Sequence, residues 1–427
     1  MPEYRRLAHP IEQPKSLPQT ESSALFGRVF KAFQFRDFAM MWTGACTSQV
    51  GTQMQTAAQS WLVYELSKHS SAFLAIDNFL GTLPIVLLSL LGGVFADRHD
   101  RRKVLLGSQY LQMTCAFLLA TLVFTGVVKV WHIWCISFTV GVAQAFGGPA
   151  YSALVPSLVP KEHLQNAISL NSIQFNLARV IGPALGGIAL VKLGAAWNFT
   201  FNGFSFVGVI ITLYLIQTAF VPAKSREPIL TSMKQGVQFM RRQPGMESLI
   251  VLAFLMTTLG FPIITYLVVF GEDVFHGGPQ TFTLLLSCSG AGAVSGALVV
   301  AGLGKLKRRG TAALIMLAVL GFFTMAFSQS PTVPVACVML FLAGASLMGV
   351  FSMLTTLVQM IIPDDMRGRV MSVYNLALRG GGPVGVLLVG TLMIPRLHAP
   401  LTFTITGALE ILLAAYFLTV NRRVAVL

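Results

Sequence analysis

Apolar runs of about 20 residues recur along almost the whole chain, each stopped by a short polar break. A run of that length crosses the hydrocarbon core of a bilayer as an α-helix. Lipid tolerates no unpaired backbone, so only helices and closed barrels can cross it. A barrel would show short alternating segments, and these runs do not alternate. Charged residues make up only 11% of the chain, against about 25% in soluble domains. The expected fold is therefore an all-α membrane protein. The runs place twelve spans at about 37–65, 72–96, 103–126, 131–158, 166–192, 196–221, 246–271, 280–303, 310–328, 332–361, 370–394 and 399–420.

The sharpest break is the stretch from Gly92 to Val104. The apolar run ends at Asp97, and five of the next six residues are charged, with His99 the exception. Two spans joined this closely must turn tightly, which gives Gly93 a steric role. Arg98, Arg101, Arg102 and Lys103 mark a cytoplasmic face. An anchor needs no acid, so Asp97 points further, to pairing with a cation or to capping a helix N-terminus.

Lys and Arg set the orientation. The N-terminal tail, the even loops and the C-terminus hold 24 of the 30, so both termini are expected to be cytoplasmic. The net charge of +14 sits at span ends, where topology and anionic lipid account for it without a nucleic-acid partner. Residues 1–35 read as a polar, proline-bearing tail with no cleavable signal peptide, ending in an interfacial helix on Leu25, Phe26, Val29, Phe30 and Phe33. The five cysteines lack metal-ligand spacing and read as packing residues.

The chain also repeats itself at about 200 residues. Gly182-Pro183-Ala184-Leu185-Gly186 is answered by Gly382-Pro383-Val384-Gly385, and Arg179 by Arg379. The expected architecture is two pseudo-symmetric six-helix bundles, 36–221 and 246–421. A cytoplasmic linker, 222–245, carries an amphipathic helix, and a short tail, 422–427, closes the chain. Parallel halves of this kind hold a substrate near the midplane between them.

The break motif Gly93-x-x-Ala96-Asp97-Arg98-x-x-Arg101-Arg102 in the second loop resembles that of the major facilitator superfamily, as do twelve spans in two halves. Asp100 stands where that family usually has glycine, and the equivalent loop of the second half, Gly302 to Arg309, has no acid. Phe35-Arg36-Asp37-Phe38, Ser48-Gln49-Val50-Gly51, Gly147-Gly148-Pro149-Ala150 and Arg367-Gly368-Arg369-Val370 are similar to the enterobactin-exporter and macrolide-efflux branch. That resemblance implies export from the cytoplasm by proton antiport, with the first, fourth, seventh and tenth spans lining a central cavity. Gly182, Pro183, Gly186 and Gly187 resemble an antiporter motif; read physically, they are a proline-kinked helix with a small face for close packing. The arginine usual in the fourth span of drug–proton antiporters is missing.

A charge within a span costs about 2.5–3.5 kcal/mol on insertion scales, so each one needs a reason. Asp77 and Glu410 are the candidates for proton coupling, with helix-start capping the alternative for Asp77. Arg179 and Arg379 are candidates for an anionic substrate group or a buried acid. Gln49, Gln53, Thr56 and Gln59 form a polar stripe on the first span, Asn171 and Gln174 lead to Arg179, and Ser352, Thr356 and Gln359 repeat the pattern in the tenth. Such stripes belong against a cavity or in interhelical hydrogen bonds. Asp97 with Arg98, Arg101, Arg102 and Arg369 forms the expected cytoplasmic gate between the halves.

These readings converge on a monomeric secondary transporter of the bacterial inner membrane. It is expected to be a proton-driven exporter of amphipathic small molecules, with no cofactor and no enzymatic chemistry. An importer or facilitator of the same fold, and a non-transporting receptor or lipid-handling protein, are the alternatives.

Overall fold

The computed structural model describes residues 31–216, 229–302, 308–363 and 366–426; within these the side chains of Leu90, Asp97, 229–234 and Gly236 are not described. The proposed interfacial helix over 25–30, the loop residues 303–307 and the pair at 364–365 lie outside the described residues. Among the described residues there is no strand.

The long helices of the first half are α1 (Arg36–Leu66), α2 (Ser71–Arg98), α3 (Arg101–Phe124), α4 (Val130–Leu154), α5 (Leu164–Leu193) and α6 (Ala195–Leu215). A shorter helix, Ile229–Arg242, precedes the second half. There α7 (Met246–Gly260) continues through short turns into a π turn, Phe270–Val274. After it come α8 (Gly278–Gly302), α9 (Arg309–Ser328), α10 (Val333–Ile361), α11 (Arg367–Leu388) and α12 (Ile394–Thr419). Ten described stretches are long and apolar enough to cross a membrane. Twelve were expected from the sequence, and the difference has a physical cause. The polar stripe of α1 takes it below that apolarity, and α11 and α12 run together as one stretch, Arg367–Thr419, through the π turn Val389–Met393.

The two halves pack alike. In the first, α1 lies against α5 and α6, α2 against α4, and α3 against α4 and α6. In the second, α7 lies against α11, α8 against α10, and α9 against α10 and α12. Glycines permit the same approaches in each. A methyl group at Gly186 would lie 2.9 Å from the Met54 Cα on α1, and one at Gly385 would lie 1.9 Å from the Thr258 carbonyl on α7. The glycine-proline repeat read from the sequence thus serves equivalent helix pairs, α5 on α1 and α11 on α7. The turn after α2 differs from expectation. Gly93 lies inside α2 with nothing within 4 Å of its would-be Cβ, whereas a methyl at Gly92 would meet the Ala145 carbonyl of α4 at 2.1 Å. The close approach falls one residue earlier because that face of α2, not the turn, meets α4.

The halves join through α2 with α11 and α5 with α8. Their cores differ between the two ends of the molecule. The end carrying the α2–α3 turn, here called the basic end, has two separate cores. One holds Phe38, Met41, Leu105, Leu154, Leu170 and Leu213 of the first half; the other holds Met246, Leu317, Leu354, Val370, Tyr374 and Phe417 of the second. At the opposite end a single core takes Val63, Leu74, Leu119 and Ile133 from the first half with Tyr266, Phe270, Phe282, Val389 and Phe403 from the second. The molecule is therefore sealed at the opposite end and parted at the basic end.

Candidate functional site

A chamber of about 660 Å³ lies between the halves, within the range of about 300–1,000 Å³ usual for small-molecule sites. The α1 stripe supplies Gln49, Gln53 and Thr56 to its wall, as its spacing requires, and α5 supplies Gln174. Asn171 stands one shell back, accepting a 2.6 Å hydrogen bond from the Tyr151 hydroxyl, and Tyr151 itself lines the wall. From the second half Ser372, Asn375, Leu376 and Arg379 face the chamber. Gln109, Gln112 and Gln144 complete the polar wall and were not singled out from sequence. Gln109 and Gln112 stand three apart beside Ser108 on α3, a short polar face that was the available signal, whereas Gln144 is a lone amide in an apolar run.

A smaller alcove of about 220 Å³ extends from the chamber towards the sealed end and shares Thr52, Thr56, Gln112 and Gln144 with it. Asp77 sits there, only 7% exposed. Ser137 of α4 donates to its Oδ1 at 2.6 Å, and Gln59 of α1 donates to its Oδ2 at 2.9 Å. The same Gln59 amide donates to the Ser137 Oγ at 2.8 Å. Three helices thus meet at one carboxyl whose oxygens both accept. Asp77 lies one to two turns into α2 and makes no capping bond there; the α2 N-cap, Ser70, has none either. Beside the alcove Asn202 of α6 donates to the Gln55 Oε1 at 2.7 Å. This pair also has no signal in the stripe pattern.

The remaining candidates go elsewhere. Arg179 lies at the α5–α8 contact, where its backbone carbonyl would be 2.7 Å from a methyl at Gly290. It is not among the residues lining the chamber or the alcove. Its counterpart in the repeat, Arg379, is in the chamber, so the repeat predicts helix position but not environment. Ser352, Thr356 and Gln359 of α10 are likewise absent from both linings. Thr356 donates to the Ser352 carbonyl at 2.8 Å, and Gln359 is exposed. Glu410 is fully buried in the second half, where a methyl at Gly260 of α7 would lie 2.9 Å from its Oε1. Neither of its oxygens has a hydrogen-bond partner among the described residues.

The basic end shows what the loop motif does in this conformation. Asp100 caps α3, accepting from the Arg102 N–H at 3.0 Å, which accounts for an acid where glycine was expected. Arg101 donates to the Ala153 carbonyl at 3.1 Å, and Arg102 donates to the Ile216 and Tyr214 carbonyls at 3.1 and 2.9 Å. Both arginines therefore tie the ends of α4 and α6 within the first half, where a guanidinium suits the negative end of a helix. Arg98 is exposed, Arg369 donates to the Met366 sulfur at 3.6 Å, and the Asp97 side chain lies outside the described residues.

The sealed end carries polar ties across the halves. The Tyr64 hydroxyl donates to the Asp273 Oδ2, and the His69 Nδ1 pairs with the Asp273 Oδ1 at 3.1 Å. The Tyr64 and His69 rings stack at 5.1 Å. Ser71 donates to the Gly390 carbonyl at 2.9 Å; within the second half, Tyr266, in the turns after α7, donates to the Val386 carbonyl at 2.6 Å. His69 (φ 66°) and the preceding Lys68 (φ 55°) are both left-handed, a conformation that side-chain-bearing residues hold only under constraint.

A family model described as transmembrane secretion effector matches residues 29–427. The chain is 24% identical to a macrolide efflux protein A of Streptococcus pyogenes over 392 residues, covering 88% of this chain and 94% of that one. It is 25% identical to a staphyloferrin A transporter of Staphylococcus aureus, covering 85% and 91%. To an enterobactin exporter of Escherichia coli it is 28% identical, covering 71% and 72%. Among solved structures it resembles a nucleoside transporter, NupG, with a TM-score of 0.71 at 12% identity, covering 90% and 98%. It also resembles a bacterial homologue of the lysosomal transporter Spinster, with a TM-score of 0.69 at 14% identity, covering 92% and 98%. The sequence resemblance, the helical architecture and the family match agree: this multi-pass membrane protein is a transporter rather than an enzyme, and it belongs to the transmembrane secretion effector family of the major facilitator superfamily.

Proposed function

We propose that this chain is a proton-driven exporter that carries amphipathic small molecules out of the cytoplasm by alternating access, as a monomer in the bacterial inner membrane with both termini inside. The observation that carries it is the inequality of the two ends: one core shared by both halves, and two cores parted around a polar chamber. Rocking about the α2–α11 and α5–α8 contacts would exchange which end is closed. The basic end is read as cytoplasmic because its charge obeys the positive-inside bias, so this conformation faces inward. The efflux relatives favour the outward direction of cargo.

Asp77 is the proton site in this reading. As a carboxylate it accepts from both Ser137 and Gln59. Adding a proton turns one accepting oxygen into a donor: on Oδ1 it forces the Ser137 hydroxyl to rotate, and on Oδ2 it takes from Gln59 one of its two acceptors. A proton at Asp77 thereby loosens the junction of α1, α2 and α4. In proteoliposomes with an imposed pH gradient, Asp77→Asn is expected to reduce gradient-driven flux to the level of empty vesicles. Retention of full gradient-driven flux would refute coupling through Asp77. The direction of flux in the wild type separates exporter from importer.

Asp97 is the proposed inner latch. It stands at the end of α2, and α2 meets α11, whose first turn carries Arg367 and Arg369. When the basic end closes, Asp97 would sit at the N-terminus of α11. Asp97→Asn, inserted normally, is expected to slow transport; unchanged activity would sink the latch.

A further inference from the structure

The exporter reading leaves the charge of the cargo open, and the chamber wall narrows it. No acid lines the chamber among the described residues, and its lining holds a single cation, Arg379. Arg379 lies at the twelfth residue after the start of α11, about 18 Å along the axis at 1.5 Å per residue. At that depth a guanidinium is costly unless it meets water or an anion. Among the described residues it makes no ion pair. The chamber opens at the basic end, where the loop after α2 carries four bases, Arg98, Arg101, Arg102 and Lys103, against two acids, Asp97 and Asp100, so the net charge along the entry path also favours anions.

The acid in the adjoining alcove, Asp77, is not part of the chamber lining and offers a cationic group no unoccupied oxygen. Both Asp77 oxygens are taken by Ser137 and Gln59, and the side chain is buried. The rest of the polar wall is neutral. Gln49, Gln53 and Gln144 present amides that read hydroxyls and carbonyls without regard to charge. Ile85, Val86, Phe175 and Phe206 supply apolar surface beside these groups.

We propose that the chamber selects amphipathic molecules bearing an anionic group, a carboxylate or a comparable oxyanion, with Arg379 as the counter-charge that discriminates against cationic cargo. The proposal rests on reading the chamber as the cargo site. Arg379 is a specificity residue here: its fork of N–H donors matches a planar oxyanion, whereas lysine would supply only a point charge.

The test uses three probes that share one fluorophore. Dansyl-glycine carries a carboxylate, dansylamide is neutral and dansylcadaverine carries an ammonium group. Each is titrated against the full chain in lipid nanodiscs without a gradient, with empty nanodiscs subtracted. Dansyl-glycine is expected to bind about tenfold more tightly than dansylcadaverine, the scale of one charge-assisted hydrogen bond in a wet site. Arg379→Gln should bring that ratio close to one with little change for dansylamide. Arg379→Lys should keep the order with a smaller ratio. Arg396→Gln, which removes an exposed arginine beyond the chamber, should leave the ratio as in the wild type. The proposal is overturned if dansylcadaverine binds as tightly as dansyl-glycine, if the preference survives Arg379→Gln, or if none of the three binds monodisperse protein. Because these titrations need no flux, failure of the exporter reading in the pH-gradient assay is told apart from failure of the charge preference.

Discussion

Replacing Asp273 with alanine is expected to open the sealed end. Among the described residues there, Asp273 is the one that two groups of the other half hold at once, the Tyr64 hydroxyl and the His69 imidazole. The two ties are unequal. His69 and Asp273 expose 48% and 39% of their side chains, so their ion pair is screened and contributes about 0–1 kcal/mol. The phenol–carboxylate bond is a charge-assisted hydrogen bond in a better-shielded place, contributing about 1.5–3 kcal/mol. Removing both moves the balance between the two closures by about tenfold or more. The shared apolar core still favours closure, so the shift is partial. Accessibility of a single cysteine replacing the buried Ser71, read by the rate of modification with a membrane-impermeant thiol reagent in a background lacking the five native cysteines, should rise in Asp273→Ala by about that factor. Asp273→Asn keeps an acceptor for Tyr64 and should give a smaller rise. An unchanged rate in both variants would show that the polar ties do not hold this end. Cysteines at 69 and 273, bridged by a short bifunctional thiol reagent, should stop transport until a reductant is added.

What the sequence disclosed, and what it did not, follows from the range of each signal. The α1 stripe is local: residues three and four apart fall on one face, so Gln49, Gln53 and Thr56 could be assigned to a cavity wall before any fold was known. The glycine-proline repeat is also local, and it marks equivalent close approaches on α1 and α7. Contacts across the halves carry no such mark. His69 and Asp273 are 204 residues apart, and nothing around either one announces the other. The amides of α3 and α4 are similarly silent about each other: Gln112 and Gln144 become a chamber wall only when the two helices are brought side by side. Pseudo-symmetry misleads where the two halves sit differently around a parted end. Arg179 and Arg379 occupy matching positions, yet one packs at the α5–α8 contact and the other faces the chamber. The α10 stripe fails for the same reason, since the chamber in this conformation is walled mostly by the first half.

The glycines of α5 give the other large expected effect, and they separate folding from switching. Gly182 and Gly186 face α1: a methyl at Gly182 would lie 2.4 Å from the Gln53 Cβ, and one at Gly186 would lie 2.9 Å from the Met54 Cα. At Gly186 the obstacle is backbone, which cannot rotate aside, so Gly186→Val should push α1 off α5 and disrupt the chamber wall that α1 provides. Overpacking of this kind costs about 1–3 kcal/mol and more where backbone must move. Gly186→Val is expected to lower the thermal midpoint in detergent and to reduce the yield of monodisperse protein. Gly187 faces the other way. A methyl there would lie 2.2 Å from the Thr283 Oγ1 and 2.6 Å from its Cβ, at the start of α8 in the opposite half. Gly187→Ala should leave each half intact and wedge the α5–α8 contact apart near the sealed end. The wedge is a side chain, so it can be removed: Thr283→Gly in the same molecule takes away the Oγ1, Cβ and Cγ2 atoms that clash. We expect Gly187→Ala to fold with a near-normal thermal midpoint, lose most transport and raise thiol accessibility at the sealed end. The double variant should recover transport. If Gly187→Ala is inactive and Thr283→Gly does not rescue it, packing alone does not explain the motif at this position, and the resemblance to an antiporter sequence would have to rest on something other than helix contact.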